Sequence, residues 1–213
     1  MPAQAARVLA LAFDPEVSPA EDATSERVLD AALELAAAHG LQHLTMDEVA
    51  QRAGVGRMTV YRRFGSRTAL VDGLAVRECR RCLERIAAAI DPAAPAGERI
   101  AAQFTETLAV IREHPLLAHL AQFEPESLLR ELTRDDSAVF RLVREFLIGL
   151  IAEGQRAGEL LPGDPAVHAE LALRLSASFV LMPDSVLPLD DEHATREAIR
   201  ALITPMLPRH GRR

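Results

Sequence analysis

Apolar residues recur along this chain at helical spacing, in segments that are separated by glycine and proline. The first segment runs from about Ser25 to His39, where apolar side chains at i, i+3, i+4 and i+7 form one buried stripe. Gly40 follows in the position that commonly ends a helix. Helical spacing recurs later, over about 100–111, 137–157, 165–182 and 199–206. Because no alternating strand pattern and no internal repeat is found, the chain is predicted to be all-α.

Two short helices are predicted between Leu44 and Phe64. Thr45 and Glu48 have the spacing of a capping box, in which each side chain accepts a hydrogen bond from the backbone amide of the other residue at the start of a helix. Gly54 supplies a turn, and a third helix is predicted from about Gly56 to Phe64. Ser66 is then expected to cap a longer fourth helix that reaches about residue 90. Two short helices joined by a tight turn are typical of a helix-turn-helix.

The charge of this segment differs from that of the whole chain. Five arginines and no acidic residue lie between Gln51 and Arg67, although the formal net charge of the chain is -7. Such a local cationic surface is suited to phosphates and base edges in a major groove, whereas the overall acidity argues against coating DNA nonspecifically. A compact helical cap that binds no ligand is the alternative. It does not explain why carboxylates are absent from a face exposed to solvent.

Composition narrows the class of protein further. The 213 residues are 49% apolar and 26% charged, as in an ordinary soluble globular protein, and every one of the 24 basic residues is arginine. Two cysteines do not make a secreted disulfide framework. The apolar run from Val8 to Phe13 is too short to cross a membrane. A cytoplasmic protein with no membrane partner is therefore expected.

Residues 25–74 resemble the N-terminal DNA-binding domain of the tetracycline-repressor (TetR) family of bacterial regulators. The resemblance is carried by residues in a specific order and spacing: Leu44, Thr45, Val49, Ala50, Ala53, Gly54, Val55, Thr59, Val60, Tyr61, Phe64, Ser66, Arg67, Ala69 and Leu70. It implies an N-terminal three-helix helix-turn-helix domain and a C-terminal helical bundle, with about nine to ten helices in all. The expected boundaries are an irregular arm over 1–23, a DNA-binding domain over 24–72, and a ligand-binding and dimerisation domain over 73–213.

Roles for single residues follow from the resemblance and from their chemistry. The expected DNA-binding residues are Thr45, Gly56, Arg57, Met58, Thr59, Tyr61, Arg62, Arg63 and Arg67. By resemblance, Thr45, Tyr61 and Arg67 would contact phosphates, and residues 56–59 would meet base edges. Arg57 can offer two parallel donors to guanine, while Arg62 and Arg63 are suited to phosphate. The chain departs from the family's common pattern at Gly56, which replaces serine, at Arg63, which replaces histidine or tyrosine, and at Arg67, which replaces lysine.

The resemblance also implies a homodimer and a small-molecule effector. Candidate interface residues are Phe146, Leu150, Leu171, Leu175 and Ser178, and candidate pocket residues are Phe104, Leu108, Ile111, Phe123, Leu128, Phe140 and Phe179. Ordinary burial in a core is the alternative for each of them. One recognition helix reads too few bases to find a site in a genome, so a dimer on a pseudo-palindromic operator is expected.

The expected function is that of a ligand-responsive regulator of transcription, more often a repressor in this family. The alternative is a helical ligand-binding protein or a thiol-based sensor that uses Cys79 and Cys82, because two thiols at i, i+3 among arginines could sense oxidants or soft metals. A single CxxC without a second ligand pair is weak support for a metal site. The sequence contains no nucleophile elbow, phosphate loop or zinc helix signature, so neither an enzyme nor a cofactor is expected.

Overall fold

The computed structural model describes residues 23–124, 126, 137–182, 185–189 and 191–203. Within these ranges the chain is helical and contains no strand. Nine α-helices are described there: α1 Ala23–His39, α2 Met46–Ala53, α3 Arg57–Phe64, α4 Arg67–Ala88, α5 Ala96–Glu113, α6 Pro115–Phe123, α7 Ala138–Arg156, α8 Pro165–Leu181 and α9 Glu192–Ile203. The all-α prediction is confirmed. Most of the arm predicted over 1–23 lies outside the described residues.

The described residues divide into two compact units. The head unit contains residues 23–80 together with 113–124, 126 and 137–139, and the bundle unit contains 81–112 and the described residues from 140 onward. Helix α4 is continuous and contributes residues to both units. The domain boundaries expected from the sequence remain predictions.

The head unit has one apolar core, built by the stripes that the sequence shows. Val28, Leu29 and Ala32 of α1 are 0–1% exposed, and they share a cluster with Val49 of α2 and Val60 of α3. Helix α4 adds to the same cluster, as does α6. Burying this apolar surface fixes α3, whose own length of eight residues is too short for an isolated helix to be stable in water.

The ends of α2 have the local chemistry that the sequence predicts. The Thr45 hydroxyl accepts a hydrogen bond from the Glu48 amide at 3.2 Å and donates one to Glu48 Oε2 at 2.6 Å. Gly54 ends the helix in the left-handed conformation, with φ of 65°, which side chains with a Cβ adopt at a cost. The turn at Gly54 therefore sets the direction in which the chain enters α3.

Helix α6 is part of the head unit, although it lies far from the other head helices in the sequence. Leu116 and Leu120 belong to the head core. His114 caps α6, since its Nδ1 accepts a hydrogen bond from the Leu117 amide, and its Nε2 lies 3.0 Å from Glu78 Oε2. Pro115 occupies the first turn of this helix, where a missing amide hydrogen costs little.

The bundle unit is held by an apolar core and by ion pairs between its helices. Phe146 and Leu147 of α7, Leu173 of α8 and Ile199 of α9 are buried. Arg200 of α9 pairs with Glu98 of α5 at 3.0 Å, among the other ion pairs of this unit. None of the helices in the described ranges is long and apolar enough to span a membrane.

Candidate DNA-binding surface

Helix α3 presents one face to the head core and the other to solvent. Val60 is 0% and Phe64 7% exposed, so both side chains anchor the helix inward. Gly56, Arg57, Met58 and Arg62 are exposed, and Thr59, Tyr61 and Arg63 are half-buried. Arg57, Met58 and Arg62 thus lie on the outer side of this helix, whereas Arg63 is directed in part toward Ser25 of α1.

Met58 is the most exposed large apolar residue of the head unit among those described, with 77% of its surface accessible. An apolar side chain that is so exposed to water does not stabilise the fold of the single chain by burial. It is suited to apolar contact with a thymine methyl group, the one apolar feature of the major groove edge.

The side chain of Arg57, at the first position of α3, contacts those of Asp47 and Tyr61. Its Nε lies 2.9 Å from Asp47 Oδ1 and its Nη1 lies 3.0 Å from Asp47 Oδ2. Its guanidinium carbon lies 5.3 Å from the centre of the Tyr61 ring. The hydrogen bond with the Tyr61 side chain and then the charge of Asp47 raise the pKa of Arg57 above its ordinary value. Arg57 is therefore a permanent cation whose side chain already has a defined direction.

Three of the expected phosphate contacts also stabilise the head itself. Thr45 is exposed while it caps α2. Arg67 donates from Nε to the Leu44 carbonyl at 2.7 Å and from Nη2 to the Leu41 carbonyl. Arg63 donates to the Ser25 hydroxyl at 3.1 Å. Because a guanidinium carries five N–H groups, Arg67 keeps donors beyond the two that these carbonyls accept.

Asp47 is a residue of this surface that the sequence analysis did not identify. It lies in the first turn of α2, where a carboxylate favours the positive end of the helix dipole. The pair with Arg57 is formed across the turn between α2 and α3, so helical periodicity gives no signal for it. The sequence shows only that Asp47 and Arg57 have opposite charges and are ten residues apart. The cationic surface is consequently less positive than the sequence between 51 and 67 indicates.

The residues proposed for an effector pocket lie in different places. Phe104 of α5 and Phe179 of α8 meet edge to face, with ring centres 5.2 Å apart. Leu108 is buried, whereas Ile111 and Phe140 are half-buried. Phe123 is 64% exposed and belongs to the head unit, whereas the other described candidates belong to the bundle unit. Leu128 lies outside the described residues.

The residues proposed for a dimer interface divide into two groups. Leu171 and Leu175 of α8 are 63% and 55% exposed, whereas Phe146 is 2% exposed and packs inside its own chain. Leu150 and Ser178 are half-buried. The exposed apolar positions on α8 thus include one that the sequence analysis did not name, Val167, which is 55% exposed. Cys79 and Cys82 are half-buried and form no disulfide.

Comparison with known proteins identifies the family. Residues 28–74 match the family model described as bacterial regulatory proteins, tetR family. These residues form a DNA-binding domain of the tetR family. The matched segment begins within α1 and ends within α4, so it contains the whole helix-turn-helix. The chain is accordingly a DNA-binding regulator of transcription.

The likeness to known regulators extends over most of the chain. The chain is 28% identical over 190 residues to the HTH-type transcriptional regulator AlkX of Mycobacterium tuberculosis, covering 87% of this chain and 86% of that protein. The TetR family repressor AlkX of Dietzia, implicated in biodegradation of n-alkanes, superposes with a TM-score of 0.60 at 21% identity, covering 86% of this chain and 97% of that one. The regulator FadR of Bacillus subtilis in complex with stearoyl-CoA superposes with a TM-score of 0.63 at 22% identity, covering 86% and 99%. At these identities the two structures show the fold alone.

Proposed function

We propose that this protein is a homodimeric repressor that binds a pseudo-palindromic operator and releases it when a small effector binds. The proposal rests on the two faces of α3. Arg57 and Met58 are exposed on its outer side, whereas Val60 and Phe64 are buried in the head core. A short, firmly packed helix with a cationic outer side is the part of a helix-turn-helix that enters the major groove.

The exposed groups divide by what they can recognise. Arg57 presents donors that match guanine O6 and N7, and Met58 presents an apolar surface that matches a thymine methyl group. Arg62, Arg63, Arg67, Tyr61 and Thr45 surround them with donors that are suited to phosphates. If three to four phosphates are neutralised per subunit, the affinity should fall steeply with salt concentration, because the released counterions dilute into bulk.

The exposed stripe on α8 supports a dimer. Val167, Leu171 and Leu175 follow one another at intervals of four residues, so they lie on one face of the helix. An apolar face of this kind costs free energy in water unless a second surface covers it. A second copy of α8, related by a two-fold axis, would cover it with the same residues. Phe146 is left out of this interface because it is buried in the single chain.

The effector is proposed to be a long aliphatic molecule of the fatty acyl class. The candidate pocket residues of the bundle unit are aliphatic or phenylalanine, and aromatic residues make up only 4% of the chain, which disfavours a ligand that needs stacking. Stearoyl-CoA is the ligand of the B. subtilis structure, and n-alkane degradation is named for the Dietzia relative. Effector and operator would then weaken each other's binding by the same factor.

Enrichment from a library of random-sequence duplexes tests the DNA-binding part. The wild-type chain is expected to enrich an inverted repeat, and Arg57→Ala is expected to lose about 1–3 kcal/mol of discrimination at one base pair per half-site. Arg196→Ala is the matched control, because Arg196 is a partly exposed arginine on α9 that pairs with Glu192. Equal losses on enriched and random duplexes for Arg57→Ala would contradict a base-reading role.

Titration with stearoyl-CoA tests the effector part, with coenzyme A alone as the control. We expect stearoyl-CoA to bind and to release an enriched duplex, and coenzyme A to do neither. Release by both compounds to the same extent would contradict recognition of the aliphatic chain. If neither binds while the duplex is still recognised, the acyl class is wrong and the DNA-binding proposal is unaffected.

A further inference from the structure

The contact between Asp47 and Arg57 joins the two helices of the helix-turn-helix on its outer side. Both carboxylate oxygens take part, at 2.9 and 3.0 Å from two nitrogens of one guanidinium. The side chains are 59% and 60% exposed, so the pair is formed in water. Exposed ion pairs add little to stability, so this pair contributes little to the stability of the fold.

Asp47 and Tyr61 occupy only part of the guanidinium. Its Nη1 donates to Asp47 Oδ2 at 3.0 Å, its Nε lies 2.9 Å from Asp47 Oδ1, and it forms a further hydrogen bond with the Tyr61 side chain. A guanidinium carries five N–H groups, so donors remain for a base edge. Two parallel donors are what guanine O6 and N7 accept in the major groove. The Tyr61 ring, 5.3 Å from the guanidinium carbon, restricts the same group from another side.

We propose that Asp47 is a specificity-determining positioning residue, which presets Arg57 for a guanine and penalises duplexes that offer no guanine at that position. The inference rests on the proposed DNA-binding function. An arginine that is already held loses less side-chain freedom when it binds, so the correct base gains affinity. The carboxylate meanwhile repels the nearby phosphates on every duplex, whichever base is present.

These two effects predict opposite changes when Asp47 is removed. The affinity for random duplex should rise, by about threefold at low salt, because one negative charge leaves the surface. The preference for guanine at the position read by Arg57 should fall by about tenfold, because the guanidinium then reaches other acceptors as easily. If Asp47 acted by electrostatic repulsion alone, its removal would raise the affinity for all duplexes and leave the base preference unchanged.

The test uses the full chain and the duplex that wild type enriches from a random library. Equilibrium binding is measured for that duplex, for variants with each of the other base pairs at the guanine position, and for a scrambled duplex. The variants are Asp47→Ala and Asp47→Asn, where asparagine keeps the shape and one acceptor and should retain part of the preference. Glu34→Ala is the matched control, because Glu34 forms an equally exposed pair with Arg52 in the same unit.

We expect Asp47→Ala to lose base preference at one position per half-site and Glu34→Ala to lose none. In the Arg57→Ala background, removing Asp47 should change no base preference, because the effect acts through Arg57. An unchanged preference in Asp47→Ala, or a further loss of preference in the Arg57→Ala background, would overturn the inference. If Asp47→Ala does not fold by circular dichroism, Asp47→Asn decides: it should lose part of the base preference, and an unchanged preference would overturn the inference. Failure of wild type to enrich any sequence would instead refute the proposed function.

Discussion

Replacing Leu171 and Leu175 by alanine should separate dimer stability from chain stability. Both side chains lie on the outer face of α8, with 63% and 55% of their surfaces exposed in the single chain. Truncating them removes little that the isolated chain buries. If a second copy covers this face, the same truncation removes apolar contact from both sides of the interface.

The size of the effect follows from the exposed area. Burying a leucine fully contributes about 1.5–3 kcal/mol, and somewhat over half of each side chain remains to be covered here. A two-fold interface counts each residue twice, and alanine retains part of the contact. The double variant should therefore lose ~3–4 kcal/mol of association free energy, which corresponds to a dissociation constant about two to three orders of magnitude higher.

Sedimentation equilibrium over a range of concentrations measures this change, and thermal unfolding of the dilute protein measures the chain itself. Leu161→Ala is the matched control, because Leu161 is 54% exposed but lies outside α8. The control should leave the dissociation constant unchanged. A double variant that dimerises as tightly as wild type would refute the assignment of this face to the interface.

Three further changes test other parts of the account. Leu74→Ala, at a side chain that is 0% exposed in the head core, should lower the free energy of unfolding by about 2–5 kcal/mol in urea, and a loss below about 1 kcal/mol would contradict its place in the core. Tyr61→Phe should weaken enriched and random duplexes alike in a binding titration, since a phosphate contact carries no sequence information; a loss confined to one base pair would show that the Tyr61 hydroxyl acts through its hydrogen bond with Arg57 instead. The double variant Cys79→Ser, Cys82→Ser should still release the operator when the effector binds. If peroxide releases the operator from wild type but not from this variant, thiol sensing is favoured instead.

The sequence predicts the head helices well because their ends are determined locally. The capping box at Thr45, the turn at Gly54 and the hydroxyl cap at Ser66 each involve residues within three or four positions of one another. Such contacts can be recognised from spacing alone. The confirmed bounds of α2 and α3 follow from them.

Other features depend on packing between distant segments and could not be predicted from spacing. Periodicity places Phe146 and Leu171 alike on apolar stripes, yet one is 2% and the other 63% exposed. The inclusion of Leu120 in the head core and the pair between Asp47 and Arg57 require the folded arrangement as well. Periodicity predicts which face of a helix is apolar. Which other segment, or which second chain, covers that face is determined by the tertiary structure.

The spacing between half-sites tests the central claim most directly, namely that two exposed α3 helices read one duplex together. Base pairs are inserted one at a time between the halves of the enriched inverted repeat, and the affinity of each duplex is measured at fixed salt. We expect the affinity to fall with the first insertions and to be lowest near half a helical turn, about five base pairs, where the second half-site faces away from the dimer. An affinity that does not depend on the spacing would show that the two helices do not bind as a pair and would contradict the account.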